Sequence, residues 1–136
     1  ALTERGHAQA RAVAEAFVRL GVAVDAVVSS PLVRTYQTAV DLLAVWQPGA
    51  RPVTHDALAP ERLKPGKLSE FLAASGAGVA AVGHMPGLGA YAEWLIGAPE
   101  GALPLAKGGA ACVEFPGPPG KGCGKLKWLL PPEWVM

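Results

Sequence analysis

Four polar side chains follow short apolar runs and could together bind an anion. Ser29 and Ser30 end the run VDAVVSS, Arg34 lies four residues later, and His84 follows the run GVAAV. The planar guanidinium of arginine can contact two oxygens of one phosphate group. Hydroxyl and imidazole groups can add further hydrogen bonds. We therefore predict that Arg34 and His84 bind phosphate.

Each of these residues also has an ordinary structural interpretation. Arg34 could be a solvated helix residue, and His84 could bond a backbone carbonyl at the end of a strand. A cation in the first helical turn is mildly unfavourable unless it holds an anion, which favours the binding interpretation for Arg34. The other two histidines, His7 and His55, are predicted to lie on the surface.

Two strand–turn–helix units position the candidate residues. In the first, a buried strand over Val22 to Val28 is followed by Ser30 as N-cap, Pro31 at the first helical position, and a helix to about Trp46. In the second, a strand over residues 78–82 precedes a helix from Pro86 to about Ile96. Because ligands bind at the carboxyl edge of a parallel sheet, both motifs should meet there with two helix N-termini.

The remaining pattern completes an α/β fold. It predicts a helix from Glu4 to about Leu20 capped by Thr3, a weak strand over Pro52 to Leu58, a helix over Lys67 to Ala74, and a hairpin of Ala110 to Phe115 with Lys125 to Leu130. We expect three layers, α/β/α, with a mostly parallel central sheet and a C-terminal antiparallel hairpin.

Composition limits the class of protein. The 136 residues are 51% hydrophobic and 17% charged, which predicts one domain over residues 1–136. A net charge of +1 indicates neither a nucleic-acid partner nor a polybasic membrane contact. No apolar run approaches the roughly 18–20 residues of a membrane span, and the start resembles no signal peptide. We expect a cytoplasmic protein.

The two cysteines are predicted to be free thiols. Cys112 and Cys123 lack metal-ligand spacing with a histidine, and we expect neither a metal nor a cofactor. A hairpin loop centred near Pro119 would place Cys112 near Leu126 and Cys123 near Phe115, so that the thiols are not opposite each other.

Three motifs in this sequence resemble those of the histidine phosphatase superfamily. They are LTERGHAQA, SSPLVRTYQTA and VGHMPG, in the family's order, and the ending KLKWLLPPEWV resembles the short SixA-type phosphohistidine phosphatases. The resemblance implies that Arg34 is the second phosphate-binding arginine and that His84 flanks the nucleophile. It implies a supporting role for Gln37 and Thr38, and the backbone N–H of Met85 is expected to face the phosphate.

The family's nucleophile is a histidine in an Arg-His-Gly motif after the first strand. The sequence contains no such motif, so the resemblance implies that the first strand is missing and that the nucleophile lies upstream of Ala1. The short spacing from Thr38 to His84 leaves no room for a lid, which favours a phosphate presented by a protein, as phosphohistidine.

Glu61 is the candidate general acid, although a phosphohistidine needs little proton assistance because imidazole is a good leaving group. Two alternatives stay open. One is a phosphomonoesterase for a small metabolite. The other is a phosphate-binding domain without catalysis, if no Arg-His-Gly exists upstream.

Overall fold

The computed structural model describes residues 2–134 and contains four α-helices and five strands in that range. In chain order they are α1 (Glu4–Arg19), β1 (Ala26–Ser29), α2 (Val33–Trp46), β2 (Val53–Thr54), α3 (Pro65–Ser75), β3 (Val79–Val82), α4 (Gly87–Ile96), β4 (Ala110–Glu114) and β5 (Lys125–Leu130). Short 3₁₀ turns occupy Asp56–Leu58 and Pro132–Trp134.

The strands form two separate sheets. The first is parallel, in the order β2-β1-β3, with Ser29 opposite Val82 at the carboxyl end. The second is the antiparallel pair β4-β5. The predicted α/β class, parallel sheet and C-terminal hairpin are confirmed.

Neighbouring residues of β1 direct their side chains to opposite faces of the sheet, as alternation along a strand requires. Val27 packs with Ala39 and Leu43 of α2 on one face. Val28 packs on the other face, in a cluster with Leu68 of α3 and two residues of α4, Tyr91 and Leu95. Helices therefore cover both faces of the parallel sheet, which explains why β1 is apolar without alternation.

Helix α1 begins as predicted, because the Thr3 hydroxyl accepts a hydrogen bond from the N–H of Gly6 at 3.0 Å. It ends at Arg19, and Gly21, with a φ of 76°, follows its C-cap Leu20. His7 lies at the surface as predicted, with 35% of its side chain exposed, but it also contacts α2. Its Nδ1 atom lies 2.6 Å from Oδ2 of Asp41, because α1 packs against α2 along this side.

Two predicted strands are shorter than expected. The first begins at Ala26 rather than Val22, because the N–H of Val22 still bonds to Phe17 in the last turn of α1. The second contains only Val53 and Thr54, after which the chain turns into a 3₁₀ helix.

His55 was expected in an exposed strand, and that expectation is wrong. It is half-buried and caps the 3₁₀ helix, since its Nδ1 accepts a hydrogen bond from the N–H of Ala57 at 3.0 Å. Its ring also packs against Phe71, with 4.3 Å between the centroids.

The hairpin has an irregular register that changes the predicted position of one cysteine. Cys112 lies opposite Trp128, two residues from Leu126. Val113 rather than Cys112 pairs with Leu126, and the bulge between Cys112 and Val113 shifts Cys112 by one residue more. Both cysteines are free, as predicted, and burial raises the pKa of the Cys112 thiol.

Within residues 2–134, no helix is long and apolar enough to cross a membrane.

Candidate functional site

The carboxyl ends of β1 and β3 lie side by side and bring two sequence motifs together. Ser29 pairs with Val82, and the N–H of Ser30 donates a hydrogen bond to the carbonyl of Val82 at 2.9 Å. The residues that follow the two strands are therefore neighbours at one edge of the sheet. This is the edge at which open parallel sheets bind ligands.

His84 is held at this edge by two hydroxyl groups from the first motif. Its Nε2 atom lies 2.9 Å from Oγ of Ser30 and 3.4 Å from Oγ1 of Thr35. In the part of the chain that the structure describes, the hydrogen bonds of this imidazole involve Nε2. The other ring nitrogen, Nδ1, makes no hydrogen bond within residues 2–134.

Ser30 does not cap α2 in the predicted way. The helix begins at Val33, its N-cap is Leu32, and no side chain caps it. The Ser30 hydroxyl instead accepts a long hydrogen bond from the N–H of Leu32, at 3.3 Å, while it contacts His84. One residue more than predicted separates β1 from α2. The hydroxyl of Ser30 therefore stabilises this turn and orients the imidazole of His84.

Ser29 differs from Ser30 in the partner of its hydroxyl rather than in burial. It is completely buried, and its hydroxyl donates to the carbonyl of Ser30 at 2.8 Å. Ser30 is equally buried, but its hydroxyl contacts Nε2 of His84.

Arg34 lies in the first turn of α2 and is exposed. The next residue, Thr35, contacts His84, so the turn that carries the guanidinium adjoins the imidazole. The ion pairs among residues 2–134 join His7 to Asp41 and Lys127 to Glu114. The structure thus pairs Arg34 with no carboxylate in this range, and its binding of one anion together with His84 stays a prediction.

A second helix also starts at this edge. Helix α4 begins at Gly87, one residue after the predicted start at Pro86, and the Leu88 N–H bonds to the carbonyl of His84 at 2.9 Å. The side chain of Met85 is 42% exposed. Two helix N-termini therefore contribute partial positive charge around His84.

Burial lowers the pKa of His84 below its ordinary value of 6.5. Removal of water from around the ring disfavours the charged form. Burial therefore favours the neutral imidazole, whose Nε2 atom can accept a hydrogen bond from Ser30 or Thr35.

Glu61 lies in an exposed turn, where it has a φ of 62°. The turn runs beside the site, because a Cβ atom added at Gly83 would lie 3.3 Å from Leu58 and one added at Gly87 would lie 3.7 Å from Leu63. Glu61 is thus on a segment that borders His84. Its role as an acid stays a prediction.

Thr35 is the site residue that the sequence analysis missed. Its hydroxyl is one of the two that contact the imidazole of His84. Its position beside Arg34, in the first turn after the strand, was the available signal. The first turn of a helix that follows a parallel strand lies at the carboxyl edge of the sheet, so a threonine in that turn is close to the candidate site.

Comparison with known proteins supports the fold and the family resemblance. Residues 1–62 match the histidine phosphatase superfamily (branch 1). An uncharacterized protein of Picosynechococcus sp. is 36% identical over 99 residues, an alignment that covers 68% of this chain and 57% of that protein. The chain thus spans less than two thirds of this relative's length.

Among solved structures, the chain is similar to the protein histidine phosphatase SixA complexed with tungstate. The TM-score is 0.80 at 22% identity, and the match covers 99% of this chain and 86% of SixA. The family match and the shared fold together confirm the resemblance of this chain to the histidine phosphatase superfamily, branch 1.

Proposed function

We propose that this chain belongs to a phosphohistidine phosphatase that acts on a phosphorylated protein through a covalent phosphohistidine intermediate. The observation that carries the proposal is the contact of His84 with Ser30 and Thr35, beside the turn that bears Arg34. The fold is that of a protein histidine phosphatase whose structure was solved with tungstate, a tetrahedral oxyanion.

Arg34 and His84 have complementary roles in this proposal. The guanidinium of Arg34 holds two oxygens of the phosphoryl group, and protonated His84 stabilises the negative charge of the transition state. The N–H of Met85 contributes a further hydrogen bond. All three act through electrostatic stabilisation, which suits phosphoryl transfer because little other chemistry is needed.

The nucleophile is proposed to be a histidine of an Arg-His-Gly segment that precedes this sequence. Its ring nitrogen forms a bond to phosphorus while the bond to the substrate's imidazole breaks, and water then attacks the phosphoenzyme and releases phosphate. The topology is compatible with an added strand. Among the described residues, β3 has a strand neighbour on one side only.

A protein substrate fits the exposed surroundings of the site. Leu32, Val33 and Met85 are 47%, 62% and 42% exposed, and they lie within two residues of Arg34 or His84. Exposed apolar side chains at a rim are typical of protein contact rather than of an enclosed metabolite site. Glu61 is the candidate acid, and the imidazole leaving group makes only a small demand on it.

The test uses the full natural chain that contains these residues. We expect it to hydrolyse a phosphohistidine protein in the presence of a chelator and to form a labelled phosphoenzyme that survives base and is lost in acid. Hydrolysis of small phosphate esters alone would favour the phosphomonoesterase alternative. Anion binding without turnover, in a chain lacking Arg-His-Gly, would favour the binding domain.

A further inference from the structure

One hydrogen bond joins the start of α1 to the helix that carries Arg34. The N–H of Leu2 donates to Oε1 of Gln37 at 2.6 Å, across 35 residues of sequence. Leu2 directly precedes Thr3, the N-cap of α1. Gln37 lies three residues after Arg34, on the same side of α2. The bond therefore links the chain that enters α1 to the turn that holds the phosphate-binding guanidinium.

The bond matters because few polar contacts hold the first turn of α2. Its N-cap, Leu32, provides no side-chain cap. On the side of the sheet, the turn is held by the 3.4 Å contact of Thr35 with His84. Toward α1, the first side-chain hydrogen bond from α2 within residues 2–134 is that of Gln37. Losing its acceptor would free the start of α1 to shift relative to Arg34.

We propose that Gln37 is a positioning residue, which keeps the segment entering α1 in register with Arg34. The proposal rests on the proposed function, in which the nucleophile belongs to the chain that leads into α1. Catalysis then requires the nucleophile and Arg34 to meet at one phosphoryl group, and an error of about 1 Å in such an alignment costs up to about 100-fold in rate. Gln37 itself touches no substrate.

A matched control exists one turn further along the same interface. Asp41 contacts Nδ1 of His7 at 2.6 Å and so also joins α2 to α1. This pair lies beyond the start of α1 and does not involve the backbone of Leu2. Asp41→Asn weakens the packing of the two helices without removing the acceptor of the Leu2 N–H.

The experiment compares Gln37→Leu, Gln37→Glu and Asp41→Asn in the full natural chain with a phosphohistidine protein as substrate. Leucine removes the acceptor, and we expect kcat to fall about tenfold with KM within about twofold of wild type. Glutamate keeps the acceptor, so kcat should be rescued. KM should rise, because a carboxylate three residues from Arg34 competes for the guanidinium. Asp41→Asn should lower Tm and leave kcat within about twofold.

The possible failures are distinguishable. A wild-type chain without phosphatase activity contradicts the proposed function, and the positioning role falls with it. An active wild type with an unchanged kcat in Gln37→Leu overturns the positioning role alone. Equal losses of kcat in Gln37→Leu and Asp41→Asn, or in Gln37→Leu and Gln37→Glu, also overturn it, because they indicate a general packing effect or a need for the amide itself.

Discussion

The Nε2 atom of His84 lies 2.9 Å from the Oγ atom of Ser30, although 54 positions separate the two residues in the sequence. Ser30 is completely buried, whereas His84 is half-buried. The hydroxyl thus provides a fixed point against which the imidazole is oriented. Its loss would leave one side of the ring with the longer contact to Thr35 alone.

We predict that Ser30→Ala lowers both stability and activity. The variant removes the contacts with His84 and with the N–H of Leu32, and loss of such bonds costs about 1 to 3 kcal/mol of the free energy of unfolding. Denaturant unfolding and kcat measure the two effects. Thr35→Val, which removes only the 3.4 Å contact, should have a smaller effect on both, and a larger one would contradict the assigned importance of Ser30.

Titration of His84 should depend on a bound anion. In the free protein, burial places its pKa below 6.5, so the imidazole takes up a proton only in more acidic solution. Sulfate favours the charged form and should raise this pKa, and by linkage sulfate should bind more tightly as the pH falls. NMR titration of the ring with and without sulfate measures both pKa values. Equal values would argue against an anion site at His84.

The lowered pKa of His84 also makes the stability of the folded protein depend on pH. The unfolded chain binds a proton at a pH where folded His84 is still neutral, so this residue makes folding less favourable as pH falls below about 6.5. The penalty is absent above that pH and is complete below the folded pKa. His84→Gln should therefore reduce the acid sensitivity of Tm, and an unchanged profile would show that His84 contributes little to it.

Arg34→Lys should reduce kcat/KM by about tenfold or more and leave Tm nearly unchanged. Lysine keeps the charge but cannot make the paired contacts of a planar guanidinium. The residue is exposed, so its replacement disturbs little packing. Arg19→Lys, at the exposed far end of α1, is the control and should have wild-type kinetics. Wild-type kcat/KM in a folded Arg34→Lys variant would make Arg34 an ordinary surface residue.

Gly78→Ala should destabilise the fold at the opposite end of the sheet. A Cβ atom at this position would lie 2.3 Å from the backbone oxygen of Ala23, so the backbone would have to move, at a cost of about 1 to 3 kcal/mol. Gly66→Ala is the control, because a Cβ atom there meets nothing within 4 Å and alanine favours helix α3 by about 0.5 kcal/mol. In thermal unfolding, Gly78→Ala should lower Tm and Gly66→Ala should raise it. Equal Tm values for the two variants would contradict the predicted clash.

Local sequence determined the elements that create the candidate site. Apolar runs ended by serine or glycine, followed by proline, predicted two strand–turn–helix units, and both are present, the first with a strand that begins four residues later than predicted. The parallel pairing of β1 with β3 then brings the ends of these strands to one edge. Short-range steric and capping preferences are sufficient for this level of description, because they act within a few residues.

Tertiary structure decided which side chains meet. The contacts of Ser30 with His84, Leu2 with Gln37 and His7 with Asp41 span 54, 35 and 34 positions. They depend on how far each helix is rotated and shifted against its neighbours, which periodicity does not specify. A single extra turn residue before α2 moved Ser30 from a helix cap to a partner of His84, and one bulge moved Cys112 opposite Trp128. Packing of the whole core sets such one-residue shifts, so the sequence indicated that Ser30 and His84 follow neighbouring strand ends but not which hydrogen bonds they make.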